Sequence, residues 1–200
     1  MTSKPKKKTI KNTDKVRCSW VTDDPLYMEY HDSEWGSPIY NDRLLFEFLI
    51  LEGAQAGLSW LTVLKKHDNY RRCFENFDAK KIARYNNRKI ESLLSNPGII
   101  RNRLKIEAAI INSQAFLQVQ QEWGSFSEYI WQFVDGKPIK NHWKTFKHIP
   151  TRTDISDNMA KDLKKRGFKF VGSTICYAYM QAVGMVNDHT VNCFRYRKIK

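Results

Sequence analysis

Leu93-Leu94-Ser95-Asn96-Pro97-Gly98-Ile99-Ile100-Arg101 reads as the end of one helix, a Pro-Gly turn and the entry to another. Proline stops the first helix because it lacks an N–H and disfavours helical geometry in the residue before it. Helical periodicity runs outward from this turn in both directions. Asn41 and Asp42 cap a helix through Leu44–Ala56, Ser59 caps another after the break at Gly57, and Asp68, Asp78 and Asn86 open further short ones. A long helix is expected over Ile99–Gln121, with others over 126–134, 155–166 and 173–183, and with Gly167 and Gly184 as C-terminal stops. Cys18 to Tyr40 reads as aromatic and irregular, 135–153 as loop, and no alternating strand or repeat is visible. The fold class is all-α.

The chain has 200 residues, 42% of them hydrophobic, with 6 Trp, 9 Tyr and 11 Phe, which is enough to bury one sizeable core. Residues 1–16 form a basic tail, expected to be disordered, and 17–200 a single domain. Of the net charge of +13, the first 17 residues hold seven cations against Asp14, leaving +7 on the remainder. A polyanion, most simply nucleic acid, is the partner this implies. The tail either attracts phosphate without regard to sequence or is idle. No apolar run spans a bilayer, and the lysine-rich start lacks the apolar stretch of a secretory signal, so no membrane partner and a reducing, cytoplasmic compartment are expected. In that compartment cysteines serve as metal ligands or buried thiols. Cys73 and Cys176 lie in apolar helical patterns and are expected in the core.

Cys18 and His31 near the start, and His189 and Cys193 near the end, supply the donor set of a tetrahedral structural zinc site with no position left open. His189-x3-Cys193 sets two ligands one turn apart. Buried apolar cysteines and surface histidines explain the same residues equally well, because the spacing is not the usual C-x₂₋₄-C kind.

Two features point at DNA. The turn at Pro97-Gly98 can aim main-chain N–H groups and a helix N-terminus at one phosphate, with Arg101, Arg103 and Lys105 nearby. The stretch Lys164-Lys165-Arg166-Gly167-Phe168-Lys169-Phe170 alternates cations with aromatics. Candidate backbone contacts are therefore Gly98, Arg101, Arg103, Lys165 and Lys169. An ordinary helix–turn–helix link and a solvated helix end account for both features without DNA. The run Leu44-Leu45-Phe46-Glu47-Phe48-Leu49-Ile50-Leu51-Glu52 is almost unbroken apolar sequence ending in a carboxylate. Gly53, Ala54, Ala56 and Gly57 then allow a backbone or a flat ligand close approach, and Trp60 offers a stacking face. Glu52 beside such a surface can accept hydrogen bonds from a base edge; equally, it can face solvent with Trp60 in the core. Trp20, Tyr27, Tyr30 and Trp35 lie in the segment that a zinc would hold in place and can complete a base-sized pocket.

The runs Cys18-Ser19-Trp20, Asp24-Pro25-Leu26-Tyr27, Tyr30-His31-Asp32, Glu34-Trp35-Gly36 and Leu51-Glu52-Gly53 resemble the DNA-3-methyladenine glycosylase I family. So do Gln55-Ala56-Gly57-Leu58-Ser59-Trp60, Gly98-Ile99-Ile100-Arg101, 164–172 and Asn187-Asp188-His189, so that the resemblance covers about Arg17 to Cys193. It implies the helix–hairpin–helix DNA glycosylase fold, with a zinc site joining the N- and C-terminal segments. Cys18, His31, His189 and Cys193 match the zinc ligands, one structural Zn2+ per chain. Tyr27, Tyr30, Glu52 and Trp60 match the base pocket, with Trp20 and Trp35 as neighbouring aromatics.

The implied enzyme is a DNA repair hydrolase acting on alkylated double-stranded DNA as a monomer, associated with the bacterial nucleoid while scanning. It flips and excises 3-methyladenine. Methylation at N3 makes the base cationic and a good leaving group, so capture outweighs protonation. Cation attraction to Trp60 and the tyrosines, with the Glu52 carboxylate, favours the lesion. Between Glu107 and Glu122 the chain has no acid, so the catalytic aspartate of many helix–hairpin–helix glycosylases has no counterpart there, as expected for type I. No lysine is marked as a Schiff-base nucleophile, which implies a monofunctional enzyme without a lyase step. The competing reading is a non-enzymatic, zinc-stapled module that recognises damaged or bent duplex. The Glu52/Trp60 pocket discriminates the two.

Overall fold

The computed structural model describes residues 15–199. The basic tail expected over 1–16 therefore lies largely outside the described residues; Val16, its last residue, already accepts a backbone hydrogen bond from Phe194. The described residues fold as ten α-helices with short 3-10 and π turns: α1 (Pro25–Glu29), α2 (Asp42–Gln55), α3 (Trp60–Leu64), α4 (His67–Cys73), α5 (Ala79–Ile82), α6 (Asn87–Leu94), α7 (Arg103–Trp123), α8 (Phe126–Trp131), α9 (Asp154–Lys165) and α10 (Ser173–Ala182).

The central element is α2. It is buried without a break from Leu45 to Ala54 and packs against α3, α7, α8 and α10, as a helix apolar on all sides must. Asn41 caps it by accepting from Leu44 N at 3.1 Å. Asp42 does not cap this helix: it is the first helical residue, and its carboxylate accepts from Gln120 Nε2 at 2.6 Å, Phe126 N at 2.8 Å and Ser127 N at 2.8 Å. It thereby ties the start of α2 to the end of α7 and the start of α8. Ser59, Asp78 and Asn86 cap α3, α5 and α6 as their positions in the sequence predict.

Several expectations are corrected. Asp68 does not cap α4: the helix begins at His67 after Lys66, so Asp68 falls within the first turn, where its charge meets the helix dipole. The long helix begins at Arg103 instead of Ile99. Asn102, in an extended conformation, caps it through Lys105 N, and Ile100 N–H is taken by the Tyr70 hydroxyl at 3.2 Å. Residues 99–102 thus belong to the hairpin. Cys73 is half-buried, not in the core, and its sulfur accepts from Asn96 Nδ2 at 3.0 Å; Cys176 is buried. The 135–153 region holds a strand, β1 (Ile139–Lys140), parallel to β2 (Val186–Asn187), and one 3-10 turn at Phe146–His148. Two-residue strands have no period to read.

The aromatic segment 18–40 is also more ordered than irregular. Asp24 caps α1 with Pro25 in its first turn, and α1 runs directly into a π-helical turn at Tyr30–Glu34, closed by Trp35 N to Tyr30 O at 2.9 Å. The widened turn buries Tyr30 and His31 side by side, and such turns recur at functional sites.

Asp188, fully buried after β2, accepts from Asn141 Nδ2 and Trp143 Nε1 on one oxygen and from Tyr177 Oη and Gln181 Nε2 on the other, at 2.7–2.8 Å. It joins the residues after β1 to α10. Asp188→Asn turns one acceptor into a donor facing donors. Urea titration is expected to show a loss of about 1.5–3 kcal/mol, the worth of hydrogen bonds to a charged group; an unchanged midpoint would contradict the hub.

Candidate active site and metal centre

A cavity of about 210 Å³, room for about seven waters, opens between α1, α2, α3 and α10. Its walls are Trp20, Tyr27, Tyr30, Trp35 and Trp60, with Glu52 and Gln55 from α2, Ala178 and Gln181 from α10, and Phe146 at the edge. All six pocket residues expected from the sequence come together here. Trp20 sits 5.0 Å from Tyr27 and 4.9 Å from Trp35, ring centre to ring centre, and Trp60 lies 5.3 Å from Tyr30. Trp60 is backed by Phe48 in a near-parallel stack with an interplanar angle of 17°.

Glu52 projects into this aromatic enclosure. It is 4% exposed, its Oε2 has no hydrogen-bond partner among the described residues, and desolvation pushes its carboxyl up to about 8. The Tyr30 hydroxyl is driven well above its usual range, first by burial and then by the Glu52 charge. Trp20 Nε1 and Trp60 Nε1 are likewise buried without partners. Buried polar atoms in native proteins are nearly always paired. Two donors and one carboxylate oxygen left open beside one cavity are what a polar, flat ligand would satisfy.

Of the small residues after Glu52, Ala56 and Gly57 line a second cavity with it, while Gly53 and Ala54 serve packing and capping. Gly53 lies against Phe170, whose Cβ would be 3.2 Å from a Cβ at this position. The carbonyls of Ala54 and Ala56 both accept from Lys105 Nζ at 2.7 Å. Lys105 is therefore a cap on the end of α2 that carries Glu52, and not a charge free for phosphate.

The hairpin is packed tightly onto α4, since a Cβ on Gly98 would stand 2.7 Å from Asn69 Nδ2. Gly98 N–H is taken by Asn96 Oδ1 at 2.8 Å. With Ile100 N–H on Tyr70, two of the main-chain donors expected to meet a phosphate already have partners within the protein. Arg101, Lys165 and Lys169 are exposed, while Arg103 pairs with Glu91 and Glu107. The two basic stretches converge: Leu104 and Lys169 line one groove, and Asn112 of α7 grips the Lys169 backbone on both sides, at 2.7 and 3.0 Å.

Cys18, His31, His189 and Cys193 meet in the interior, all four buried, with their ligand atoms within 4.8 Å of one another. Cys18 Sγ and Cys193 Sγ lie 3.5 and 3.4 Å from His189 Nδ1, and Cys193 Sγ lies 3.4 Å from His31 Nε2. The S···N edge of a tetrahedron around zinc is about 3.6 Å, from bonds of about 2.3 and 2.05 Å. The far ring nitrogens are oriented as metal ligands require: His31 Nδ1–H donates to Asp32 at 2.9 Å, and His189 Nε2–H to the Trp35 carbonyl at 3.1 Å. Arg17 in turn clamps Asp32 with two bonds of 2.8 and 2.7 Å. Of the two thiols, Cys193 is held far below its usual range, by Cys18 first and then by the two imidazoles, while Cys18 is driven up by the same contact and by burial. One thiolate is therefore present, and a metal would take the place of the Cys18 proton.

Gln55, Phe146, Ala178 and Gln181 escaped the sequence reading. Phe146 lies in a stretch without periodicity. Gln181 did leave a signal, as the lone amide in the apolar run Ala178-Tyr179-Met180-Gln181-Ala182-Val183.

The sequence model of the methyladenine glycosylase family matches residues 20–196. The chain is 53% identical to DNA-3-methyladenine glycosylase 1 of Escherichia coli K12 over 180 residues, 90% of this chain and 96% of that protein. It is 48% identical to DNA-3-methyladenine glycosylase of Haemophilus influenzae, over 89% of this chain and 96% of that one. Among solved structures, a variant of 3-methyladenine DNA glycosylase I in complex with 3-methyladenine superposes with a TM-score of 0.89 at 36% identity, covering 92% of this chain and 99% of the other.

The raised Glu52 carboxyl has a consequence for stability. Its folded-state value, about 8, stands above the ordinary 4.5, so the folded state holds the proton more tightly and stability falls as pH rises between those values. Glu52→Gln removes that dependence. The variant's melting temperature is expected to gain on that of the wild type steadily between pH 5 and 8; a constant gap would show that burial does not perturb Glu52.

Proposed function

The chain belongs to the methyladenine glycosylase family, and from that premise we propose that it excises 3-methyladenine from alkylated double-stranded DNA by hydrolysing the N-glycosidic bond. The observation that carries this reading is the unpartnered Glu52 carboxylate inside an aromatic cavity. A damage-recognising module that cleaves nothing has no need of one.

Methylation at N3 places positive charge on the adenine ring. The flipped base is held between aromatic faces, where Trp60, Tyr27 and Tyr30 attract a cation. Glu52 costs free energy as a carboxylate in the empty cavity, because burial disfavours its charge. A cationic base offsets that cost, and neutral adenine does not. Hydrolysis then adds a water oxygen to C1′ of the sugar as the bond to N9 breaks; the electron pair leaves with the base, which departs neutral, and the water gives up one proton to solvent. Glu52 reads the base edge and stabilises positive charge developing on the sugar. No lysine among the described residues lines the cavity, and no acid stands on α7 between Glu107 and Glu122, which supports a monofunctional enzyme without Schiff-base chemistry.

Arg101, Arg103, Lys165 and Lys169 are the proposed contacts to the DNA backbone, which position the duplex without reading sequence, and Gly98, whose own N–H is held by Asn96, shapes the turn beside them. The cation for the Cys18/His31/His189/Cys193 cluster is Zn2+. These four residues fill a tetrahedral site and leave none for water, so the metal supplies structure and no chemistry. The protein is proposed to work as a monomer in the bacterial cytoplasm; no helix among the described residues is long and apolar enough to cross a membrane.

Trp60→Ala should cost roughly one to two powers of ten in affinity for the lesion, since base–aromatic stacking is worth on the order of 1–3 kcal/mol. Glu52→Gln keeps the shape and removes the charge, and should slow release of 3-methyladenine. Both variants should retain non-specific duplex binding. Normal excision and base binding by both would remove this cavity from the mechanism.

Elemental analysis of purified protein is expected to give one zinc per chain. Stripping the metal should lower the melting temperature and expose both termini to protease. A zinc-free protein that is fully folded and active would end the structural assignment.

A further inference from the structure

Gln181 reaches the cavity from α10, one turn beyond Ala178, and the orientation of its amide is determined by what lies behind it. Its Nε2 donates to Asp188 Oδ2 at 2.8 Å. The same carboxylate accepts from Tyr177 Oη, Asn141 Nδ2 and Trp143 Nε1. With donors on both oxygens, Asp188 can receive only the NH₂ end of the amide; the reverse rotamer would set oxygen against oxygen. The Gln181 Oε1 atom is the end left over, and it takes no hydrogen bond from any described residue.

The geometry points to Gln181 as a specificity-determining residue: its Oε1 accepts a hydrogen from the exocyclic amino group of the flipped adenine lesion and opposes the oxygen that guanine carries there. The inference rests on the reading of this cavity as the 3-methyladenine site. Glu52 Oε2 is a second open acceptor on the same cavity, and the two hydrogens of an amino group can serve two acceptors. An oxo group in that place is set against the Gln181 oxygen, an atom that can accept but never donate, and loses its hydration there without replacement, the arrangement that gives a site its strongest discrimination. Asp188 is a positioning residue here. It touches no substrate and acts by allowing the amide of Gln181 one direction.

The test compares wild type with Gln181→Met, which keeps the length of the side chain and removes the acceptor. Duplex DNA treated with a methylating agent carries 3-methyladenine and 3-methylguanine together, and both released bases are quantified in one digest. Their ratio is independent of the fraction of enzyme that is folded, so a merely structural role for Gln181 leaves it unmoved. The ratio is expected to fall about tenfold in the variant, the worth of one hydrogen bond at the upper end of its range, through slower release of 3-methyladenine. An unchanged ratio with 3-methyladenine still released overturns the role of Gln181 and leaves the glycosylase reading standing. Wild type that releases neither base overturns the glycosylase reading itself, and the inference with it.

A substrate-side measurement does not depend on the variant's folding. Wild type should bind free 3-methyladenine at least about tenfold more tightly than 3-methylhypoxanthine, which bears oxygen in place of the amino group. Equal binding of the two overturns the inference.

Discussion

Cys18 and His31 meet His189 and Cys193 in the interior, and the aromatic wall of the cavity is built on that meeting. Trp20 lies 5.3 Å from the His31 ring and Trp35 lies 4.6 Å from the His189 ring. The Trp35 carbonyl takes the His189 Nε2–H, and a Cβ on Gly36 would stand 3.1 Å from that nitrogen. Two walls of the pocket are thus attached directly to ligands of one cluster. The chain between them forms the other walls, Glu52 and Trp60 from the front half and Gln181 from α10. A cation at the cluster would fasten the first described segment to the last and hold the walls at a constant separation, which rigid stacking on a flat base requires.

The second constraint is electrostatic. A carboxylate with one oxygen unpaired and almost no exposure is an expensive feature, and Glu52 shows it in a carboxyl displaced upward to about 8. The protein holds it there with secure anchoring at both ends of α2. Asp42 binds the N-terminal end to α7 and α8, and Lys105 caps the C-terminal carbonyls. Burial of this kind is relieved by taking up a proton or by positive charge brought alongside. On the proposed reading a base that carries positive charge supplies the second kind of relief, and neutral adenine does not. Asp188 applies the same economy to hydrogen bonding: a saturated carboxylate behind the cavity leaves Gln181 one way to point.

Much of this was legible in the chain. The caps at Asn41, Ser59, Asp78 and Asn86, the stops at Gly167 and Gly184, and the all-α class depend on local chemistry: a side-chain oxygen for an orphan N–H, a residue that tolerates positive φ. The four cysteine and histidine positions and the six pocket residues were recognisable from long, unusual runs. Local rules failed where a distant partner decided the outcome. Residues 99–102 carry a helical pattern but form hairpin, because Tyr70 takes the Ile100 N–H and Asn102 caps the helix later. Gly53 read as room for a backbone or a flat ligand, and it is the chain at Phe170 that fills it; Lys105 read as charge near a phosphate and proved to be a helix cap.

The sequence by itself determined most of the helices and caps, since each is a property of a residue and its near neighbours, and through the resemblance of its long motifs it marked out the candidates for a metal and for a base. Only the tertiary structure decided that Glu52 is unpaired, that the Gln181 amide faces one way and that Phe146 and Ala178 complete the cavity. Those facts depend on which groups from distant segments occupy the space around an atom, and burial and hydrogen-bond competition act through space, not along the chain.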